Sequence, residues 1–390
     1  MFVDYTPEQK DRQSVIRDYI DRNINPHADE WDAKEEIPRT VFSALGSEGF
    51  LTPGLAPQFG GSGMDSVTLG ILMEEMGKAS VSVVSDLTVH GMCVEAIQRF
   101  ASDPLRDHYL PRMAKGETLG AFALTEPDIG SDARNVKTQA TPVEGGYVLN
   151  GRKKWISFAR MADLILIVAQ DEGQPSAFLV PRDTPGLSIK PIRGMLGFRS
   201  AMIGELQLDG VKVPTDHQIG TRGAGFSHVA ANSLDFGRYC VAWACVGLTQ
   251  ACVDSSLHYA QHRHQFDRPL RDHQLILEML ANMITHLKAA RALAWRCAYL
   301  RDQRDPASIT ETTTAKYFSS MVASKAASDA VQIHGANGCG PDYPVQRYFR
   351  DARIAEIIEG SNQMQQIMIA KNGYIENRKA LKRMRTPASQ

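Results

Sequence analysis

The hydrophobic pattern of the chain changes twice, and these changes restrict its possible folds more than any other feature. Residues 1–118 place apolar side chains at helical spacing, residues 119–226 contain short apolar runs between turns, and residues 227–390 return to helical spacing. The length of 390 residues exceeds what one hydrophobic core usually supports. The pattern therefore predicts an α+β protein with an N-terminal helical domain, a middle β domain and a C-terminal helical domain.

The first helical segment begins with a capping signal. Thr6 can cap the helix, Pro7 suits its first position, and Gln9 can complete a capping box. Further N-terminal helices are predicted at residues 38–48, 66–76 and 83–100. No predicted strand precedes the glycine cluster at residues 59–63, so an inter-helix turn is favoured over a phosphate-binding loop.

The middle segment has a sequence pattern typical of a β-sandwich or β-barrel. Glycine-containing turns separate strand-length apolar runs at residues 147–150, 164–168, 177–180 and 206–208. Beyond it, long helices are predicted at residues 241–262, 275–297 and 312–331, which indicates a four-helix bundle. The first of these helices is rich in small residues, which allow neighbouring helices to approach closely.

Composition excludes several classes of protein. A formal net charge of −1 argues against nucleic-acid binding. The six cysteines include no Cys-x-x-Cys pair, so buried thiols in a reducing compartment are expected, with neither a disulfide framework nor a metal site. The N-terminal residues lack signal-peptide features, and no apolar run approaches the roughly 18 residues of a membrane span. A cytoplasmic protein without membrane contact is expected.

Two short segments carry the chemical information. The segment 123–132 is a polar loop in which Gly130 can turn the backbone and Thr125 and Ser131 offer hydroxyl groups. The segment 350–361 ends in Glu-Gly-Ser. Backbone amides in a loop of the first kind suit a ligand rich in acceptor atoms, although such a loop alone is more often a domain-joining turn.

Together the two segments resemble signatures of the acyl-CoA dehydrogenase family, and the likeness extends over residues 5–375. The resemblance implies the family fold and an FAD cofactor. In the family, a Thr-Glu-Pro-x-x-Gly-Ser-Asp loop lies against the flavin ring. By this likeness Phe122, Leu124 and Thr125 would lie beside the pyrimidine side of the flavin. Ser131 would lie near either the thioester arm of the substrate or the flavin diphosphate.

Other segments resemble further flavin contacts of the family. Residues 150–157 look like a strand in which Trp155 would cover one face of the ring and Ser157 would donate toward flavin N5. Residues 263–274 look like a segment that reaches the FAD of a neighbouring subunit, although Asp267 replaces the usual glycine. The remaining implied cofactor contacts are Arg263, Gln265, Phe266, His273, Gln332, Gly335, Ser361 and Gln363.

Glu359 is the catalytic base that the resemblance implies. It would remove the proton α to a thioester while a hydride leaves the β carbon for flavin N5. A carboxylate can do this only if burial raises its pKa and the substrate proton becomes easier to lose. Some family members take the base from the position before the arginine matched by Arg238, but that position is Gly237 here. The implied substrate contacts are Ser131, Asp235, Arg238, Ile358 and Gly360, although Asp235 and Arg238 could equally form a structural ion pair.

The acyl carrier is less defined than the reaction. Residues 237–247 and the Glu356–Ser361 segment look like the family branch that oxidises acyl, hydroxyacyl or aminoacyl groups on an acyl carrier protein in polyketide or nonribosomal peptide biosynthesis. Ile358 also replaces a tyrosine common in fatty-acyl members. An ordinary acyl-CoA dehydrogenase, a flavin oxidase and a non-catalytic flavoprotein remain alternatives. The family further implies a homodimer or homotetramer and an electron-transfer flavoprotein or similar acceptor.

Overall fold

The N-terminal part of the protein is helical. The structure, a computed structural model, describes residues 5–385. In chain order the helices are α1 (Pro7–Asn23), α2 (Ala28–Lys34), α3 (Arg39–Ser47), α4 (Ser66–Ala79), α5 (Val81–Phe100) and α6 (Asp103–Ala114). The predicted capping box is confirmed, because the Gln9 amide donates to the Thr6 hydroxyl at 3.2 Å and the Thr6 amide donates to the Gln9 side chain at 3.0 Å. The glycine cluster forms the connection between α3 and α4.

The middle part forms one twisted, mostly antiparallel sheet. Its strands are β1 (Gly120–Ala123), β2 (Gln139–Val143), β3 (Gly146–Ile156), β4 (Leu164–Asp171), β5 (Gln174–Pro181), β6 (Leu187–Pro191), β7 (Gly204–Pro214) and β8 (Gln218–Ile219). The strand order is β6-β7-β3-β2-β4-β5-β8, and β1 pairs with β4 in parallel. The last residue of β1 leads directly into the polar loop at residues 124–132, so the sheet fixes where that loop begins.

Strand β4 separates two hydrophobic cores. Leu164 and Leu166 belong to the large core that the sheet shares with the helices. Ile165 and Ile167 point to the opposite side, because successive side chains of a strand alternate. There they join Phe178 and inward-facing residues of β3 and β7 in a second core that belongs to the β domain alone. The sheet is therefore rigidly attached to the helices on one side and stabilised internally on the other.

The C-terminal part is helical again. Its elements are α7 (Ala231–His262), the short hairpin strands β9 (His264–Gln265) and β10 (Arg268–Pro269), α8 (Gln274–Asp302), α9 (Ser308–His334), α10 (Val345–Ala355) and α11 (Asn362–Arg385). Helices α7, α8 and α9 pack against one another, and α10 and α11 pack on α9. Helix α10 is not among the helices predicted above, although its buried residues Val345, Tyr348, Ala352 and Ala355 follow helical spacing.

Helix α7 is the central helix of the fold. Together with the π-helical turn before it, at Gly225–Ala230, it is long and apolar enough to cross a membrane by length and composition. However, 78% of its most apolar window is buried inside the protein, as expected for a core helix. Five of the six cysteines, all of them free thiols within the described residues, are buried as predicted, and Cys339 is exposed.

Small residues allow α4 and α7 to pack with almost no gap. A Cβ atom at Gly247 would lie 1.9 Å from the carbonyl oxygen of Glu74, and one at Gly77 would lie 2.5 Å from the carbonyl oxygen of Ala244. Both distances are far below van der Waals contact. The close helix approach predicted from the small residues of this segment is therefore confirmed, and it fixes the axial position of α7 against the N-terminal domain.

We predict that Gly247→Ala destabilises the protein by about 1–3 kcal/mol or more, because the added methyl group must push two helix backbones apart. The matched control is Gly373→Ala in α11, where the new Cβ would have open space around it. Alanine favours helix over glycine by up to about 1 kcal/mol, so this control should be neutral or stabilising. Urea unfolding of the two variants measures the difference, and equal midpoints would contradict the tight α4–α7 contact.

Candidate active site

Glu359 lies in the short connection between α10 and α11 with its carboxyl group turned into the protein. The residue is partly buried, but its Oε2 atom is fully buried and has no hydrogen-bond partner among the described residues. Burial raises the pKa of Glu359 to about 7, and the nearby positive charges of Arg238 and Lys316 oppose this rise. At neutral pH the group is therefore divided between the neutral acid and a carboxylate available as a base.

Gly237 on α7 provides the space that this carboxyl group occupies. A Cβ atom at position 237 would lie 2.4 Å from Glu359 Oε2 and 2.7 Å from Glu359 Cδ. Any larger residue there would displace the carboxyl group. The two positions considered for the base thus lie side by side, and only position 359 carries an acid.

Asp235 and Arg238, predicted as substrate contacts, have partners within the protein. Asp235 pairs with Arg301 of α8, while its second carboxylate oxygen is buried and lacks a partner among the described residues. Arg238 Nε donates to the backbone carbonyl of Glu359 at 2.9 Å. Arg238 therefore supports the backbone of the acidic residue, and Asp235 contributes to an interhelical ion pair.

A buried ion pair holds the polar loop after β1. Lys153 of β3 is fully buried, and its ammonium group donates to Glu126 at 2.8 Å and to the Leu124 carbonyl at 3.0 Å. Glu126 also accepts hydrogen bonds from the backbone amide of Lys137 and from the backbone and hydroxyl of Thr138. The charge of each partner is thus compensated. The Lys154 amide donates to the Thr125 carbonyl at 2.9 Å and so joins the loop directly to β3.

Trp155 and Ser157 extend from the end of β3. Trp155 is 48% exposed and has a left-handed backbone, with φ of 62°, although its neighbours Lys153 and Ile156 are buried. The Lys154 ammonium group lies 4.8 Å from the centre of its ring. An exposed indole on a rigid strand offers a flat apolar face for stacking. The Ser157 hydroxyl lies 3.3 Å from the Ser85 hydroxyl of α5.

Helix α5 connects this strand end with Glu359. One turn of α5 contacts Ser157 through Ser85. Further along, Gly91 packs against Phe236 of α7 so closely that a Cβ atom there would lie 2.5 Å from the ring. Phe236 directly precedes the glycine that faces Glu359. The end of β3 and the acidic residue therefore approach the same pair of packed helices.

A second set of predicted residues lies at the other end of α7. Helices α7 and α9 run side by side, and the ring of Tyr259 stacks on His334 at 4.2 Å between centroids. Arg263 follows α7 directly, and its distance from Gly237 is about 39 Å at the helical rise of about 1.5 Å per residue. The other members of this distal set are Gln265, Phe266, His273, Gln332 and Gly335.

The distal set is largely exposed, and its hairpin is well formed. Phe266 is 89% exposed. Phe266 and Asp267 adopt φ values of 55° and 61° in the turn between β9 and β10. Aspartate tolerates this left-handed conformation better than most residues, so the replacement of glycine at position 267 leaves a tight turn intact. One chain alone does not bring this set close to Glu359.

Phe122 in β1 and Leu124 directly after β1 are buried in the large hydrophobic core. The other predicted residues surround Glu359 or lie on the polar loop. Ile358 packs against the large hydrophobic core. The Met364 amide donates weakly to the Ser361 hydroxyl at 3.4 Å. Gln363 is exposed at the start of α11. Ser131 is exposed, and a Cβ atom at the neighbouring Gly130 would meet no atom within 4 Å. These positions are compatible with ligand contacts, but no contact among the described residues assigns a ligand to any of them.

The sequence did not reveal the buried residues whose side chains hold the backbone of this site. Lys153 lies inside a recognised segment, but a lysine on a strand is normally assumed to be solvated. Its partner Glu126 is 27 residues away and is recognisable only once β1 and β3 are adjacent. Lys316 and Gln365 gave no sequence signal, because a lysine and a glutamine in helical segments are usually exposed.

Volume alone would not have located this site. A cleft of about 690 Å³ lies between α5, α6 and the connection before α4, and its walls include Gly54, Phe59, Gln98, Arg106 and Pro111. It contains none of the predicted site residues. The site is identified by its buried carboxyl group and its exposed indole instead.

Comparison with known proteins identifies the family. Three family profiles match in chain order: "Acyl-CoA dehydrogenase, N-terminal domain" over residues 6–117, the middle domain over residues 121–211 and the C-terminal domain over residues 223–374. A curated relative, the probable acyl-CoA dehydrogenase YngJ of Bacillus subtilis, is 34% identical over 378 residues, which cover 95% of this chain and 99% of the relative.

Solved structures agree with this result. The complex of glutaryl-coenzyme A dehydrogenase with glutaryl-CoA superimposes with a TM-score of 0.92 at 32% identity, covering 96% of this chain and 97% of the other. FkbI, a protein for biosynthesis of the methoxymalonyl extender unit of the polyketide Fk520, superimposes with a TM-score of 0.84 at 31% identity, covering 93% of this chain and 99% of the other. The chain belongs to the acyl-CoA dehydrogenase family and is an FAD-dependent oxidoreductase of the class that acts on CH–CH groups.

Proposed function

We propose that this protein dehydrogenates an acyl thioester and that Glu359 removes the α proton of the substrate. The observation that supports this most directly is the fully buried Oε2 atom of Glu359, which lacks a hydrogen-bond partner among the described residues and faces Gly237. An unsatisfied buried carboxylate costs free energy, and such groups are concentrated at functional sites. A substrate proton would supply the missing partner.

The residues at the end of β3 and in the loop after β1 fit FAD. The exposed face of Trp155 suits a flat ring, the Ser157 hydroxyl can donate to a ring nitrogen, and the loop fixed by Lys153 and Glu126 presents backbone groups beside them. The guanidinium group of Arg263 suits phosphate oxygens. When bound, FAD accepts the hydride that leaves the β carbon of the substrate.

The environment of Glu359 suits the removal of a weakly acidic proton. Burial makes the carboxylate more basic than an exposed one, because charge is less well solvated in the interior. Arg238 and Lys316 counteract this effect and keep part of the group ionised at neutral pH. A base is most effective when its pKa lies near the working pH, and a pKa of about 7 meets this condition.

The substrate also needs a carrier for its acyl group, either an acyl carrier protein or coenzyme A. We infer a substrate attached to an acyl carrier protein, in which the acyl group carries a hydroxyl or amino substituent. The segments at residues 237–247 and 356–361, Ile358 beside the base, and the likeness to FkbI support this inference. The likeness to YngJ and to glutaryl-coenzyme A dehydrogenase favours the second candidate, an acyl-CoA substrate.

The proposed partners follow from the same reasoning. Because Arg263 and Gln332 lie far from Glu359 along α7 and α9, their predicted contact with FAD requires a neighbouring copy of the chain, which favours a homodimer or homotetramer. An electron-transfer flavoprotein or a similar carrier would reoxidise the flavin, and an oxidase would use oxygen instead. Persistence of the reduced flavin in air separates these two acceptors. We further propose a cytoplasmic location.

We predict that Glu359→Gln lowers the rate of flavin reduction by at least about 10²–10⁴-fold, because the amide cannot accept the α proton. The visible spectrum should show normal FAD content, since the substitution preserves shape. The control is Glu356→Gln, a nearby acid that pairs with Arg353, which should reduce flavin at close to the wild-type rate. Near-normal reduction by the Glu359 variant would remove this residue from the mechanism and favour a non-catalytic role.

The pH dependence provides a separate prediction. Protonation of Glu359 abolishes the base, so the rate of flavin reduction at limiting substrate should rise with pH and level off above a midpoint near the pKa of about 7. Stopped-flow absorbance from pH 5.5 to pH 9 would measure this curve. A rate that is constant across this range would contradict proton removal by this carboxyl group in a rate-determining step.

The carrier can be decided with matched substrates. We predict that an acyl group attached to an acyl carrier protein bleaches the flavin at least about tenfold more efficiently than the same acyl group on coenzyme A, because recognition of the carrier contributes transition-state binding. A panel of butyryl, 3-hydroxypropionyl and seryl thioesters on both carriers would test this, since each has an α proton and a β hydrogen. Efficient flavin reduction by the CoA esters alone would exclude a carrier-protein substrate. The protein would then be an ordinary acyl-CoA dehydrogenase.

A further inference from the structure

A lysine side chain is buried directly behind the proposed base. Lys316 of α9 is fully buried, and its ammonium group donates to the Gly360 carbonyl at 3.0 Å and to the Asn362 side-chain oxygen at 3.1 Å. The same Asn362 oxygen accepts a hydrogen bond from the Ser320 hydroxyl at 2.9 Å. Lysine is rarely buried this completely, because its ammonium group loses its hydration. A lysine in this position requires a reason beyond packing.

Two further donors hold the same short segment from other helices. Arg238 of α7 donates through Nε to the Glu359 carbonyl at 2.9 Å. Gln365 of α11 donates through Nε2 to the Glu359 carbonyl at 3.1 Å and to the Gly360 carbonyl at 2.9 Å. Together with Lys316, these side chains approach the two consecutive carbonyl groups from three different helices. We call Arg238, Lys316 and Gln365 the carbonyl clamp.

The clamp holds an unfavourable backbone conformation. Glu359 has φ of 54° and Gly360 has φ of 88°, both in the left-handed region. Glycine adopts this region freely, but for glutamate it is disfavoured and persists only where the surroundings impose it. The left-handed turn directs the Glu359 carboxyl group against Gly237, while its carbonyl group points to the clamp. Strain at this residue and the direction of its side chain are therefore two consequences of one arrangement.

We propose that Lys316 is a positioning residue for the Glu359 base: it holds the Gly360 carbonyl so that the left-handed turn presents the carboxyl group, and its positive charge keeps that group ionisable. The assignment rests on the proposed function of Glu359. Gln365 provides the same positioning without charge, and Arg238 contributes both effects. Neither Lys316 nor Gln365 is predicted to touch the substrate or the cofactor.

Among the described residues, charged groups from α7, α9 and the connection after α10 interact with Glu359 and Lys316. Glu359 faces Arg238 of α7 and Lys316 of α9. Lys316 in turn faces Glu359, Glu356, Arg238 and the Cys245 thiol, and burial lowers the pKa of Lys316 to about 8. The pKa of the Cys245 thiol is raised to about 12 by burial, so it is neutral at physiological pH. Most Lys316 ammonium groups are therefore charged at pH 7, near the midpoint of Glu359 ionisation, and they lose their proton as the pH rises through about 8.

The first test measures the ionisation of Glu359 directly in the FAD-loaded protein. The carbonyl absorption of the protonated carboxyl group is followed against pH by infrared spectroscopy, and each protein is compared with the same protein carrying Glu359→Gln. In Lys316→Met, loss of the positive charge should raise the midpoint from about 7 by roughly one pH unit. Lys316→Arg retains the charge and should restore the wild-type midpoint. An unchanged midpoint in Lys316→Met would overturn the electrostatic part of the assignment.

The second test separates position from charge. Gln365→Met removes both amide hydrogen bonds at similar volume and leaves all charges in place. We expect the Glu359 midpoint to stay within a few tenths of a pH unit of wild type, while flavin reduction by butyryl-CoA or butyryl carrier protein falls about tenfold or more, because a misplaced base is inefficient. If Gln365→Met retains the wild-type rate, the carbonyl clamp does not position the base. This result is decisive even if Lys316→Met fails to fold. If wild type reduces its flavin with none of the butyryl, 3-hydroxypropionyl and seryl thioesters on either carrier, the proposed function fails, whereas the infrared titration still decides the role of Lys316.

Discussion

The candidate site depends on the burial of one carboxyl group against a helix that has no side chain at the point of contact. Gly237 of α7 leaves space for Glu359, and the tight packing of α7 on its neighbours keeps that space from closing. Burial makes the carboxylate more basic, and two nearby positive charges keep it ionisable. Removal of an α proton needs both properties at once. The helical domains therefore act as a scaffold that sets the pKa of a single acid.

The same packing explains why small residues are concentrated in α7. Gly247 and Ala244 meet the backbone of α4 directly, and Gly237 meets a carboxyl group. Helices that approach this closely cannot shift along each other, since backbones in direct contact have few alternative positions. The axial position of α7 in turn fixes Phe236 over α5, and α5 fixes the end of β3 through the hydroxyl pair of Ser85 and Ser157. The position of Glu359 relative to the end of β3 is thus set through two helices.

The sequence predicted the architecture and suggested Glu359 as the proposed base, but it did not predict the buried residues that hold the backbone of Glu359. The α-β-α order and the first helix cap were predictable because they depend on local periodicity and on a three-residue pattern. The acid was identified from a motif, not from physical reasoning, since a glutamate before a glycine is usually solvated. Lys153 and Lys316 could not be predicted, because the buried state of a lysine depends on partners that lie 27 and 44 residues away in the chain.

The predicted cofactor contacts form two groups at opposite ends of α7. Trp155 and Ser157 lie near the end of α7 that carries Gly237, whereas Arg263 and the exposed Phe266 lie at its opposite end, about 39 Å away. A rigid buried helix cannot bend to close that distance. If both sets bind the same cofactor, the second set must come from another copy of the chain. Assembly would then complete the cofactor site, and the exposure of Phe266 in a single chain would reflect a contact that only the assembled protein makes.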